Sequence, residues 1–361
     1  MNRIGILATV VLGAAACQHS PAQQPIVQTT GATIRDAPPT FAAAPPSDLT
    51  GRVDFREWTV PRANALPHDA IAGPDGALWF TEMKGDAIGR LNPSTGLFRE
   101  FPLPERGSNP HGLAADRAGN IWFTANAAGY IGKLEPASEK VTVFPMPDAR
   151  AKDPHSIVFA PDGRIWFTVQ HGNFVGRLDP ASGKIDLKLL DRPGALPYGI
   201  VIGHDGAAYV AEFGANRIAR IDPETMAIHN YELASGARPR RIALAPDGSL
   251  FYTDFARGIL GRLVPVTGRV EELESPSGRT SAPYAIAVTR NGAVWYSETG
   301  PTPNTLVRFD WPSHAFSSMP LPSDNAMIRD MNASPDGRLF IAESGVNKVA
   351  VLRPTESIAS R

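Results

Sequence analysis

Seven residues at one repeated position gather most of the side-chain chemistry in this sequence. Eight residues before Gly76, Gly119, Gly163, Gly206, Gly248, Gly292 and Gly337 stand His68, His111, His155, Tyr198, Arg240, Tyr284 and Arg329. None is aliphatic. All can bind an anion or a carbonyl, and an imidazole can also hold a metal or exchange a proton near neutral pH. A position with only a packing duty would accept Val or Ile somewhere in seven copies. The set therefore reads as a functional mouth for a small-molecule substrate or ligand, with a merely solvated rim as the alternative.

The elements that must position these groups follow from the glycines, which recur at spacings of 43, 44, 43, 42, 44 and 45 residues. Periods near 40 to 50 residues point to propeller blades. Each copy reads as four short strands: in the first, residues 69–72, a Pro-Asp-Gly turn, 78–82, 87–91 and 97–101. Asp-Gly between β-rich runs is a strong hairpin signal, because Gly takes the positive φ the turn requires. Trp79, Trp122, Trp166, Tyr209, Phe251, Trp295 and Leu339 occupy one repeated position and read as inter-blade packing. Phe55–Pro61 echoes Phe98–Pro104 but precedes the first copy, and the last copy ends near Pro354 without a fourth strand. The fold class expected is all-β: a seven-bladed propeller of four-stranded antiparallel blades, the last closed by the N-terminal strand.

In such a blade the first strand lines the central channel and the second returns antiparallel to the face where the first began. The second strands end in Glu82, Asn126, Gln170, Glu212, Asp254, Glu298 and Glu343. One face of the disc should thus collect His, Arg and Tyr inside an acidic and amide ring.

Composition narrows the classes. Lys plus Arg number 35 against 36 Asp plus Glu, a net charge of −1 that argues against a nucleic-acid or polybasic membrane surface. The single cysteine, Cys17, excludes a disulfide framework or a multi-thiolate zinc site. Residues 1–17 read as an export signal, with a cationic start, an apolar run from Ile4 to Ala16 and a small-residue exit. The expected location is the periplasm or cell envelope, with lipid attachment at Cys17 and plain secretion both open; the only membrane contact expected is through that anchor. Residues 18–50, rich in Pro and Ala, read as a disordered tether, 51–354 as a monomeric propeller and 355–361 as a tail.

The repeat unit, from Pro67-His68 through Trp79-Phe80-Thr81-Glu82 to Ile88-Gly89-Arg90-Leu91 and Phe101-Pro102-Leu103-Pro104, resembles the streptogramin B lyase (virginiamycin B lyase) family over roughly residues 51–354. The resemblance implies a Mg²⁺-dependent lyase that opens a cyclic depsipeptide antibiotic by β-elimination at a threonine ester. A His base would remove the α-proton while the metal polarises a substrate carbonyl. Carried over by motif, His155 would be the base, His111 a second catalytic His, Asp153 and Gln170 the metal ligands and Tyr198 a substrate contact, while Arg240, Tyr284, Arg329 and His68 are expected as substrate contacts from their place in the mouth. Two positions depart from the family pattern: Asp153 is shorter than the family's Glu, and Gln170 is a neutral amide where a carboxylate is expected. Arg240 and Arg329 also suit an anionic ligand better than an apolar depsipeptide. The rival readings are a non-catalytic propeller binding an anionic or glycan-like ligand, and a metal-dependent lactonase-type hydrolase.

Overall fold

Alternation of bulky and small residues makes strands of each repeat, and burial on both faces makes them central. Ile121-Trp122-Phe123-Thr124-Ala125 is one such run, buried at every position. The computed structural model describes Thr40–Phe41 and residues 45–355. These residues belong to a unit spanning Ala37–Arg361. Seven antiparallel sheets follow one another along the chain, each with its first strand innermost and its fourth outermost. The hairpin glycines all have positive φ, from +74° at Gly76 to +88° at Gly119, as their turns require.

The seventh blade is completed from the other end of the chain. Val53–Thr59 pairs antiparallel with Lys348–Pro354, from Val53 opposite Pro354 to Thr59 opposite Lys348. Closure by the N-terminal strand is therefore observed as expected. Part of the segment expected to be a tether also pairs with the propeller. Ser47–Asp48 runs parallel to Ser317–Ser318 on the sixth blade, Thr40–Phe41 runs parallel to Glu272–Leu273 on the fifth, and Leu49 is fully buried. Backbone pairing at open strand edges explains why a Pro/Ala-rich segment is held there without large side chains. Residues 18–39 and 42–44 of that segment, Cys17 and the export signal, and residues 356–361 lie outside the described residues. Among the described residues, no helix is long and apolar enough to cross a membrane.

Packing between blades uses the repeated aromatic position as the sequence suggests. Trp79 joins Ile71, Leu113, Ile121 and Phe123 in one cluster between the first two blades. Inside a blade, third-strand glycines let rings lie flat against the neighbouring strand: a Cβ on Gly132 would sit 2.1 Å from the Phe123 ring. The innermost strands are thereby locked in place, and they carry the candidate site.

Candidate functional site at the propeller axis

Each first strand contains a β-bulge. In the first blade Pro67 lies opposite Glu82 but Ala70 opposite Phe80, so one extra residue is accommodated between them. The same shift recurs between Pro110 and Leu113, Pro154 and Ile157, Pro197 and Ile200, Pro239 and Ile242, and Pro283 and Ile286. Bulges re-aim side chains. Here two successive residues, such as His68 and Asp69, both meet partners from other blades. A strand-two hydroxyl secures the bulge: Thr124 Oγ1 accepts from the Gly112 N–H at 2.7 Å and donates to the His155 carbonyl of the next blade at 2.7 Å. Thr81, Thr168, Thr253 and Ser297 do the same in their own blades.

The structure brings together the ring expected from sequence, but as a packed layer. The His68 and His111 rings lie 3.7 Å apart, His111 and His155 3.7 Å, and His155 and Tyr198 4.1 Å. The Tyr198 and Tyr284 hydroxyls hydrogen-bond to one another. All five are buried, His155 to 2 % exposure. The Arg240 guanidinium sits 3.6 Å from the Tyr284 ring centre and also faces Phe255, Phe213 and Tyr198. Arg240 and Arg329 are half-buried, and the Nε of each lacks a hydrogen-bond partner among the described residues.

Burial sets the charge state of this layer. Desolvation pushes the three imidazoles below their ordinary value, His111 and His155 well below it, and the positive charge of Arg241 acts in the same direction on all three, joined by Arg329 at His68 and His111 and by Arg240 at His155. For His68 the hydrogen bond to Asp69 partly offsets this. All three are therefore neutral at pH 7.

Beneath the ring lies a charged network that the sequence reading missed. Arg241 donates to Asp69 Oδ1 at 2.8 Å, to Ser156 Oγ at 3.3 Å and to the Arg329 carbonyl at 3.1 Å, and lies 3.2 Å from Asp330. Asp69 also accepts from His68 Nδ1 at 2.8 Å. Burial alone would raise the Asp69 carboxyl, but the Arg241 charge and the His68 bond hold it well below the carboxylate range. Asp330, half-buried, is pushed up to about 8 by desolvation and by the facing Asp69 charge. The available signal was the next repeat position, where Asp69, Arg241 and Asp330 stand among Gly112, Ser156, Gly199 and Ala285. Strict strand alternation hides that position; the bulge exposes it to the axis. A cavity of about 270 Å³ runs from Asp69, Ser156, Arg241 and Asp330 between apolar walls to Asn332 and Ala333 near the hairpin turns.

Two sets of expected residues are engaged by neighbouring groups. Asp153 accepts from the backbone N–H groups of His171 at 2.6 Å and Gly172 at 3.0 Å, and from His171 Nδ1 at 2.9 Å, and so braces a loop. Mg²⁺ prefers carboxylate oxygens in near-ideal octahedral geometry, and Asp153 with Gln170 offers one hydrogen-bonded carboxylate and one neutral amide. Second, several acidic strand-two ends are held by charged or hydroxyl groups of the adjoining loops. Glu212 pairs with Arg217, Asp254 with Arg257 and Glu82 with Arg62, while Glu298 accepts from Ser275 and Ser277. Buried carboxylates need such partners, and the nearest groups are in the adjoining loops.

With this geometry in hand, likeness to known proteins can be stated. The family model described as the virginiamycin B lyase family matches residues 47–299 and 189–360. The chain belongs to that family. A streptogramin B lyase structure is 28% identical, with a TM-score of 0.78, 85% of this chain covered and 99% of the other. Virginiamycin B lyase from Staphylococcus aureus is 25% identical, with a TM-score of 0.76, 83% and 99% covered. A catalytically inactive variant of the S. aureus enzyme with quinupristin is 26% identical, with a TM-score of 0.75 and the same coverage. No curated protein matches the sequence significantly. The propeller of this family member is thus shared over its whole length, while its axial residues must be argued on their own chemistry.

Proposed function

We propose that this member of the family is a ligand-binding propeller whose His/Tyr end captures a small anionic molecule. One observation carries the reading: Arg240 and Arg329 flank a layer of neutral imidazoles and phenols with no carboxylate paired to either among the described residues. A guanidinium left without a counter-ion in a half-buried setting favours a carboxylate or phosphate-like group from outside. The four rings around Arg240 hold it in place, which lowers the ordering cost of binding. Calorimetric titration with small carboxylates, phosphate esters and sulfated sugars tests it. An Arg240→Ala/Arg329→Ala double variant should lose at least about tenfold in affinity for any molecule bound, and unchanged affinity would refute the assignment.

Elimination chemistry is the second reading, favoured by the succession His111, His155, Tyr198 on adjacent blades and by a neutral His155 able to accept a proton. It ranks second because His155 is packed between His111 and Tyr198, and a general base must reach the proton it removes. Incubation with a type B streptogramin and Mg²⁺, with and without chelator, distinguishes the two. Ring opening abolished by His155→Ala would restore the lyase reading, whereas no conversion at high protein concentration favours binding. The lactonase-type reading would need a carboxylate cage, which the engaged acids do not supply. Export to the envelope, by plain secretion or with lipid attachment at Cys17, and a monomeric state complete the proposal; they rest on the N-terminal sequence and the closed ring of blades.

A further inference from the structure

His68, Asp69 and His111 each present a ligand atom within 4.8 Å of the others, and all three are buried. Among the described residues no other group of three His, Cys or acidic side chains does so. Asp69 Oδ1 lies 2.8 Å from His68 Nδ1 and 3.9 Å from His111 Nδ1. Ligands about 2.0–2.1 Å from a tetrahedral ion stand about 3.3 Å from one another, so the two distances bracket what one ion needs. A second, independent observation points to a ligand: His111 Nδ1 is buried, faces Asp69, and has no hydrogen-bond partner among the described residues. An orphaned buried nitrogen costs stability unless something occupies its lone pair or takes its proton.

We infer that His68, Asp69 and His111 form a binding site for a divalent first-row transition ion, of the Zn²⁺ or Fe²⁺ kind. The donor set of two imidazoles and one carboxylate is characteristic of such ions and unlike the all-oxygen sets of Mg²⁺. Arg241 is no obstacle to this assignment. It donates at 2.8 Å to the same oxygen, Asp69 Oδ1, that faces both imidazoles. That oxygen has two lone pairs, and the one taken by the His68 hydrogen bond is released for ligation when His68 Nδ1 gives up its proton, while Arg241 orients the carboxylate through the other. The cavity ending at Asp69 supplies the path of access from the hairpin-turn end. On binding, the proton on His68 Nδ1 moves to Nε2 and the imidazole stays neutral. The site takes two ring imidazoles and the Asp69 carboxylate beneath them, uses neither Arg240 nor Arg329, and does not depend on the anion-binding proposal.

Co²⁺ is the probe, because its visible absorption intensifies when it enters a low-coordinate protein site. Full-length protein carrying Cys17→Ser, stripped with chelator, is titrated with Co²⁺ beside His111→Gln, Asp69→Asn and Asp153→Asn variants. The parent and Asp153→Asn should take up one equivalent with the same absorption. His111→Gln should bind at least about tenfold more weakly and lose the intense bands. Asp69→Asn should lose them too; because this variant also breaks the Arg241 pair, circular dichroism accompanies each titration, and His111→Gln, which breaks no hydrogen bond of His111 Nδ1, carries the decision. Zn²⁺ should displace Co²⁺ while a large excess of Mg²⁺ leaves the spectrum unchanged. Absorption unaltered in folded His111→Gln, or no intense bands in the parent, would overturn the site.

Discussion

At the scale of single residues, the axis is built from groups whose charges are settled by burial and by one another. Arg241 is central, because it faces Asp69, Ser156 and Asp330 from three different blades. Arg241→Ala leaves the Asp69 carboxylate buried and uncompensated, and should cost about 3–5 kcal/mol in denaturant unfolding. The pH dependence of stability has a sign that can be worked out. Glu343, buried and beside Glu57, and Glu82, buried and beside Glu100, are both pushed up to about 8, as is Asp330. In the unfolded chain these groups ionise near about 4. They therefore keep their protons in the folded state only, and stability falls as pH rises from there until about 8. The three depressed imidazoles act oppositely: below about 6.5 the unfolded chain takes up protons that the folded ring does not, so acid destabilises. Between about 6.5 and 8 only the carboxyls contribute, and the denaturation midpoint should decline with rising pH. Glu343→Gln should flatten that decline and raise the midpoint at pH 8 while changing little at pH 5.

At the scale of elements, the bulged first strand is the device that makes a site from a repeat. It presents two consecutive side chains to other blades, and a hydroxyl on the second strand ties the bulge to the neighbouring blade. Thr124→Val keeps the shape but removes both bonds, leaving the Gly112 N–H and the His155 carbonyl without that partner in the interior. The expected loss is about 1–3 kcal/mol by chemical denaturation. The fourth and seventh blades carry Ala211 and Ala342 at the equivalent position, so Ala211→Thr should be nearly neutral or disruptive rather than a repeat of the same effect. How much of this was legible beforehand divides by element. The strands, turns and packing aromatics were readable because each repeat restates them. The bulge was not, since alternation alone assigns Asp69 and Arg241 to the side away from His68 and Arg240.

At the scale of the molecule, ring closure joins residues far apart in sequence, with Val53–Thr59 against Lys348–Pro354. Removing residues 1–60 should open the seventh blade, expose its edge and replace one cooperative transition by early, aggregation-prone unfolding. Removing residues 1–44 should leave the closing strand and Leu49 in place and the main transition largely intact. A single calorimetric comparison of the two truncations checks this. Equal behaviour would show that the closing pairs add nothing to ring stability.

Sequence by itself determined the blade count, the hairpin turns, the aromatic packing positions and the identity of the strand that closes the ring. These are properties of period and local pattern, repeated often enough for one copy to validate another. Tertiary structure alone decided that five of the seven mouth residues pack as a buried layer flanked by Arg240 and Arg329, that Asp153 braces a loop, and that Asp69, Arg241 and Asp330 meet at the axis. Those contacts join residues as far apart as 172 positions, and no local pattern encodes which charge finds which partner once a bulge has turned both neighbours toward the same axis.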